Sequence, residues 1–319
     1  MATLAKPTIV RVETGARIHL GFYGLCSEDK RILGGLGLAV DGIGYVVEAG
    51  IASSDEIEGC DSDRAYKALI EAKNRLGLKH PVKIRIEKCI PSHVGLGSTT
   101  QLTLALYTAI AILNGKSVDE AVKAAKRGPY SGIGVGAFLH GGFIVDAGVS
   151  VNAEAKIARP ALRTKFPEDW RVVVIVPETN WRISEGQQED TLMRIPQGGM
   201  ELCCRAMYAL LRMVVPGIVE HDFLLFAKGI EEIQRLTGIY FSVAQGGLFC
   251  CPESEKAAES LQELGARGVG QSSWGPLVYG FFSDEASAMA ALRVLRDKHG
   301  YDNVMVLKPR NKGADISYE

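Results

Sequence analysis

The sequence predicts an α+β fold in two domains, and three observations carry that expectation. An alternating strand, Val82–Glu87, runs directly into a glycine loop and then an almost continuously apolar helix. A charged, proline-marked stretch, Asn152–Asp169, interrupts the chain near its middle. Beyond it, helical segments alternate with short apolar strands. At 319 residues and 47% hydrophobic content the length prior also favours two domains, residues 1–160 and 161–319.

The first half reads as strands with glycine-rich punctuation: Thr8–Val12, the glycine-dense passage Gly34–Gly44, Tyr45–Ala49, and Val82–Glu87 with the two-residue period of a half-buried strand. The loop Pro91-Ser92-His93-Val94-Gly95-Leu96-Gly97-Ser98-Thr99 follows. A helix then starts at about Ser98, runs through Gln101–Leu113 and closes at Asn114-Gly115. Ser117-Val118-Asp119-Glu120 has the form of a capping box, and the helix it starts stops at Gly128-Pro129. A second glycine-rich segment, Arg127–Gly148, holds an apolar strand at Gly141–Val145.

The second half opens with a buried strand, Arg171–Val176, and continues with helices at about Met200–Val215, Asp222–Leu236 and Glu253–Leu264. A strand at Leu277–Phe282, a helix at Asp284–His299 and a final strand at Val304–Leu307 complete it. Helices packed on one face of a small antiparallel sheet satisfy that order.

A net charge of −1 leaves no basic excess to neutralise a nucleic-acid backbone, so nucleic acid is not an expected partner. The apolar run Leu102–Leu113 is too short to span a hydrocarbon core of about 30 Å, so no membrane association is expected. The N-terminus lacks the features of a secretory signal, which predicts a cytoplasmic protein. The seven cysteines, an odd number with no Cys-x-x-Cys, read as buried reduced thiols rather than a zinc site or a disulfide framework.

The Pro91–Thr99 loop carries the chemistry. Its glycines let the backbone approach a ligand closely, and the following helix offers unpaired N–H groups and the positive end of its dipole. Ser98, Thr99 and Thr100 add hydroxyls. Phosphate or diphosphate fits that arrangement, although no Lys-Ser or Lys-Thr follows the last glycine and the dinucleotide pattern is absent.

The pattern Pro-x-x-x-Gly-Leu-Gly-Ser-Thr resembles the phosphate loop of the GHMP kinase superfamily. Ala16–Leu25 (ARIHLGFYGL) is similar to that family's first motif and Gly268–Phe281 (GVGQSSWGPLVYGF) to its third. The resemblance implies an N-terminal domain like ribosomal-protein S5 domain 2 and a C-terminal ferredoxin-like domain. In the kinases a Ser-Gly-Leu-Asp-Asn segment supplies an Asp as proposed base; here Ser131-Gly132-Ile133-Gly134-Val135 puts Gly134 at that position. Loss of a general base costs on the order of 10²–10⁴-fold in rate.

Arg127–Asp146 and Gly270–Pro276 resemble instead the non-kinase branch of beta-ribofuranosylaminobenzene 5'-phosphate synthases of methanopterin biosynthesis. That resemblance implies a pentosyltransferase condensing 4-aminobenzoate, or a related para-substituted benzoate, with phosphoribosyl pyrophosphate, releasing carbon dioxide and pyrophosphate. It also implies magnesium and a homodimer. The alternative is an ATP-dependent small-molecule kinase of the same superfamily.

Within this frame Arg17, His19 and Asp146 are the candidate catalytic residues, Arg17 and His19 sharing one face of a strand. Pro91, His93, Gly95, Leu96, Gly97, Ser98 and Thr99 form the expected anion loop. Arg127, His140, Gln271, Ser272 and Ser273 are further binding candidates, and Trp274 is a candidate ring-stacking partner. Ser98 is the expected magnesium ligand, with Asp41 as a possible acidic helper.

Overall fold

The structure, a computed structural model, describes residues 8–26, 30–128, 130–150, 152, 158–181 and 198–319. Pro129 and parts of the expected interdomain stretch lie outside the described residues. In chain order the first half contains β1 (Ile9–Glu13), β2 (Ala16–Phe22), β3 (Arg31–Ile32), β4 (Gly35–Asp41), β5 (Val46–Ile51), β6 (Glu56–Gly59) and α1 (Ser62–Leu76). Next come β7 (Val82–Lys88), α2 (Ser98–Leu113), α3 (Val118–Ala125), α4 (Ile133–Leu139), β8 (Phe143–Asp146), β9 (Val149–Ser150) and β10 (Pro160–Thr164). The second half contains β11 (Arg171–Ile175), α5 (Met200–Ala209), a π-helical turn over Leu210–Val214, α6 (Val215–Val219), α7 (Phe223–Gln245) and α8 (Pro252–Glu263). It ends with β12 (Arg267–Gln271), β13 (Val278–Phe282), α9 (Glu285–Asp297), β14 (Val304–Pro309) and β15 (Asp315–Tyr318).

The alternation read from Val82–Glu87 is realised in β7, where Val82, Ile84 and Ile86 are buried and Lys83 and Arg85 are exposed. This strand belongs to a sheet of order β15-β1-β5-β7-β6, antiparallel except for the β6–β7 pair. A second, longer sheet runs β10-β8-β4-β14-β11-β13-β12, with β2 paired to β4. The two halves therefore share hydrogen bonds: β14 pairs with β4, and β15 returns to β1. Residue 160 is the first residue of β10, which pairs with β8.

α2 is buried on nearly every face, lying against β1 and β5 with α1, α3 and α4 around it. That burial explains why its sequence is an apolar run rather than an amphipathic stripe. α3 carries the expected capping box, Ser117 accepting from Glu120 N while Glu120 reaches back to Ser117 N.

Three expectations need correction. Helices cover both faces of the second-half sheet, not one: Val172 and Val174 pack with Phe226, Ile230 and Ile233 of α7, while Val173 and Ile175 pack with α8 and α9. A strand buried on both sides has no polar alternation to reveal this. The first half also holds two helices, α1 and α4, beyond the strands and glycine-rich segments expected there.

Finally, Cys26–Cys203 and Cys60–Cys89 are disulfides, with Cα atoms 5.9 and 6.2 Å apart. Separations of 177 and 29 residues match no local cysteine motif, so the pairing was invisible in the sequence.

A longer apolar stretch than Leu102–Leu113 exists: by length and composition Met200–Val219 could cross a membrane. Here one side of it is buried, through Cys203, Ala206, Ala209, Leu210 and Val214 packed along α7, while Tyr208, Leu211 and Val219 are exposed.

Candidate active site

The glycine loop folds as its composition dictates. Gly95 and Gly97 have φ of +106° and +76°, and His93 also takes a left-handed conformation. Gly97 is the N-cap of α2, and no side chain caps the first turn. The helix end is thus available to an anion.

Around this end lies a cavity of about 430 Å³, within the range of small-ligand sites. The loop contributes His93, Gly95, Gly97, Ser98, Thr99 and Thr100; β2 contributes Arg17, His19 and Phe22. Lys126, Arg127, Tyr130 and Ser131 form another wall, and Ser273, Trp274 and Gly275 close it. Three cations line the cavity, and among the described residues no carboxylate does. Such a field favours a multiply charged anion.

Arg17 and His19 sit two residues apart on β2 and share its cavity face, as expected. Arg17 Nη1 donates to Gly95 O at 2.5 Å. Burial pulls its guanidinium down to about 10, which still leaves a full cation at neutral pH.

Burial, and then the charge of Arg17, lower His19 to about 3, so its imidazole is neutral. Its Nδ1 accepts from Gly21 N at 3.3 Å, which places the proton on Nε2, 3.3 Å from Ser131 Oγ. Ser131 Oγ donates in turn to Asp146 Oδ2 at 3.1 Å.

Asp146 is fully buried and does not line the cavity. It accepts from the backbone N–H groups of Gly35, Gly132 and Gly148 as well as from Ser131. Burial outweighs these bonds and raises its carboxyl above the ordinary range. The geometry makes Asp146 a positioning residue that reaches the site only through Ser131.

The third motif docks on the loop backbone to backbone. Ser272 Oγ accepts from His19 N at 3.0 Å and donates to Gly95 O at 2.6 Å, and Leu277 N donates to Val94 O at 3.2 Å. Ser272 is fully buried; Ser273, Trp274 and Gly275 face the cavity. Gln271 lies behind them, its Oε1 accepting from Cys250 N at 2.7 Å.

Of the remaining candidates, Pro91 and Leu96 belong to the loop but do not line the cavity, and His140 is exposed elsewhere. Asp41 is no helper: it pairs with Arg310 at 2.5 Å, away from the cavity.

Arg64, on the unexpected helix α1, also reaches the loop. Arg64 pairs with Asp61 and donates to Ser92, to Ser98 Oγ at 3.3 Å and to Thr99 Oγ1 at 2.9 Å. Apolar residues at 65, 69, 72 and 76, ended by Gly77, gave a helical signal for that segment. Nothing local pointed its arginine at a loop 34 residues on. Lys126, Tyr130 and Ser131 were likewise not singled out.

Arg64 also decides what Ser98 and Thr99 can do. Each oxygen accepts from a cation, which takes one of its two lone pairs and leaves its O–H proton free for an anion. Among the described residues no carboxylate lines the cavity beside them.

The burial of His19 has a measurable consequence. A histidine whose folded pKa is depressed destabilises the fold as pH falls through 6.5, because the unfolded chain then binds a proton that the native state does not. Wild-type protein is expected to lose about 2 kcal/mol more stability between pH 7 and pH 5 than a His19→Gln variant. Asp146, with its raised pKa, acts in the opposite direction in both proteins and cancels in the comparison. Urea denaturation at the two pH values measures the difference; equal losses would place His19 in a solvated site.

The chain matches the description "GHMP kinases N terminal domain" over residues 63–142 and "GHMP kinases C terminal" over residues 214–302. It is 30% identical to beta-ribofuranosylphenol 5'-phosphate synthase of Methanothermobacter thermautotrophicus, over 95% of this chain and 97% of that protein. It is also 30% identical to the protein of that name from Archaeoglobus fulgidus, over 97% and 99% of the two chains. Its backbone is similar to a crystal structure of homoserine kinase from Cytophaga hutchinsonii, with a TM-score of 0.68 at 17% identity, covering 99% of this chain and 100% of that one.

Proposed function

The chain belongs to the GHMP kinase family, in the branch of the beta-ribofuranosylphenol 5'-phosphate synthases, and from that premise we propose that it is a decarboxylating phosphoribosyltransferase. Its substrates in this reading are phosphoribosyl pyrophosphate and a para-substituted benzoate, either 4-aminobenzoate or its 4-hydroxy counterpart. The observation that carries the reading is a cavity lined by Arg17, Lys126 and Arg127 with no carboxylate among the described residues. It suits a substrate rich in negative charge and a reaction that needs no proton acceptor.

The atoms balance without one. The ring carbon bearing the carboxylate attacks C1 of the ribose as the C1–oxygen bond breaks, and pyrophosphate leaves with that electron pair. The carbon–carboxylate bond then breaks, carbon dioxide leaves, and its electron pair restores the aromatic ring. Arg17, the first-turn N–H groups of α2 and the Ser98 and Thr99 hydroxyls hold the negative charge gathering on pyrophosphate. Phe22 and Trp274, which also line the cavity, hold the ring. Magnesium enters only as a counter-ion carried by the diphosphate substrate.

Neutral His19 donates through Nε2 and keeps Ser131 and Asp146 in register, without serving as a base. A kinase reading requires a base that the described residues lining the site do not offer. A Cβ at Gly134 would lie 2.9 Å from Thr100 Cγ2, so an aspartate there would also need the Thr100 side chain to shift.

The test is incubation of the purified protein with phosphoribosyl pyrophosphate, magnesium and each benzoate, following carbon dioxide and pyrophosphate. Release of both, matched by an aryl riboside phosphate, is expected; phosphate transfer from ATP with no benzoate turnover would establish the kinase instead. Within this reading Ser98→Ala is expected to raise KM for phosphoribosyl pyrophosphate about 10-fold, the worth of a hydrogen bond to a charged oxygen. Its half-saturating magnesium concentration should not change, and a large rise would make Ser98 a metal ligand after all.

A further inference from the structure

Arg64 stands behind the glycine loop, and we propose that it is a positioning residue for the bound anion, aiming the Ser98 and Thr99 hydroxyls into the cavity without meeting the ligand itself. This rests on one part of the transferase reading, that a diphosphate sits on this loop. Ser98 and Thr99 line the cavity, whereas Arg64 does not.

The guanidinium fork is filled by the protein. Nη2 donates to Thr99 Oγ1 at 2.9 Å and to Ser98 Oγ at 3.3 Å. Nη1 donates to Asp61 Oδ2 at 3.0 Å and to Ser92 Oγ. Each of these nitrogens carries two N–H groups, so the fork has no donor left for a phosphate.

Charge is not what Arg64 brings, because Asp61 pairs with it at 3.0 Å and the cations lining the cavity are Arg17, Lys126 and Arg127. Its contribution is direction. A hydroxyl can turn its proton towards a ligand or back towards the protein. An N–H aimed at the oxygen repels that proton from its own side, and the cavity that both residues line is where it then points. The two hydroxyls are therefore set as donors before the anion arrives, whereas without Arg64 each must be turned as it binds.

The guanidinium is itself held in place. Asp61 also accepts from the hydroxyl of Tyr45 at 2.5 Å, and Tyr45 is buried. The Cys60–Cys89 disulfide joins the residue before Asp61 to a point two residues ahead of Pro91. The start of α1 and the start of the loop are thus tied covalently, which brings Arg64 to hydroxyls 34 and 35 residues on.

A mutant cycle on the whole chain tests this, read as affinity for inorganic pyrophosphate by isothermal titration calorimetry, so that no turnover is required. Arg64→Met should weaken pyrophosphate binding about 10-fold, the effect of losing one hydrogen bond to a charged oxygen. In a Ser98→Ala, Thr99→Val background the same change should have no further effect, because the groups it aims are gone. Arg64→Lys keeps a cation beside Asp61 but not the fork, so it should bind as weakly as Arg64→Met, and it decides the matter if methionine prevents folding.

A further loss of similar size in the background without the hydroxyls overturns the assignment, since Arg64 would then shape the loop as a whole. Wild-type affinity in Arg64→Met or Arg64→Lys overturns it as well. Failure of the transferase reading looks different: wild type binds pyrophosphate but turns over no benzoate, and the cycle still decides Arg64. If wild type binds no pyrophosphate, the anion loop and its positioning residue fall together.

Discussion

Gly95→Ala is expected to lower turnover at least about 100-fold, the scale of a displacement of roughly 1 Å in a positioned site. Two effects act together. With φ at +106°, position 95 lies where a residue with a Cβ is strained. The added Cβ would also stand 2.5 Å from Ser272 O, a backbone atom that cannot rotate aside.

The contact is mirrored from the other loop, where a Cβ at Gly275 would lie 2.2 Å from Val94 O. The two glycine loops therefore touch backbone to backbone, and a methyl group between them must push them apart. That movement carries Gly95 O away from both Arg17 and Ser272, which it accepts from at once.

Gly97→Val tests the same loop from its other side. Its Cβ would meet Arg17 Cγ at 2.9 Å and displace a guanidinium held on Gly95 O, and φ is again positive, so a loss of similar size is expected. Pyrophosphate release, with circular dichroism to confirm folding, compares the two. Full activity in Gly95→Ala would show that the loops need not touch for the reaction to proceed.

The parts of this site legible in the sequence are those whose signal is local. The strand, glycine loop and helix of Val82–Leu113 follow one another in the chain, and each has a periodicity or a residue type that only one conformation suits. Arg17 and His19 were likewise readable, because a two-residue spacing on a strand gives one face. What was not legible depends on distant pairing. Ser131 meets His19 across 112 residues, and Ser272 meets Gly95 across 177.

Asp146 is a candidate because it is a carboxylate flanking the Gly141–Val145 strand, yet its oxygens accept from backbone N–H groups of three separate segments. Asp41 failed for the same reason, its charge being claimed by Arg310 from the far end of the chain. The choice of a cavity wall, unlike the choice of a helix, is made by tertiary packing.

Arg17→Met is expected to reduce kcat/KM for phosphoribosyl pyrophosphate by on the order of 10²–10³, as removal of one preorganised donor from a charge-stabilising site does. The guanidinium lies over Gly97, where a Cβ would touch its Cγ, Nε and Cζ, and it is tied to Gly95 O, so it is fixed at the loop before substrate arrives. Arg17→Lys should not restore the rate, because an ammonium offers neither the fixed fork nor the reach to bind Gly95 O and an anion together.

A merely structural arginine could mimic the loss of rate but not a second effect. Arg17 is one of the two causes that hold His19 low, so its removal should raise the imidazole's pKa while burial still keeps it below the ordinary value. The His19 proton resonances, followed by NMR titration, should therefore move at higher pH in Arg17→Met than in wild type. An unchanged His19 titration together with near-normal pyrophosphate release would remove Arg17 from the site and leave the anion to Lys126, Arg127 and the helix end alone.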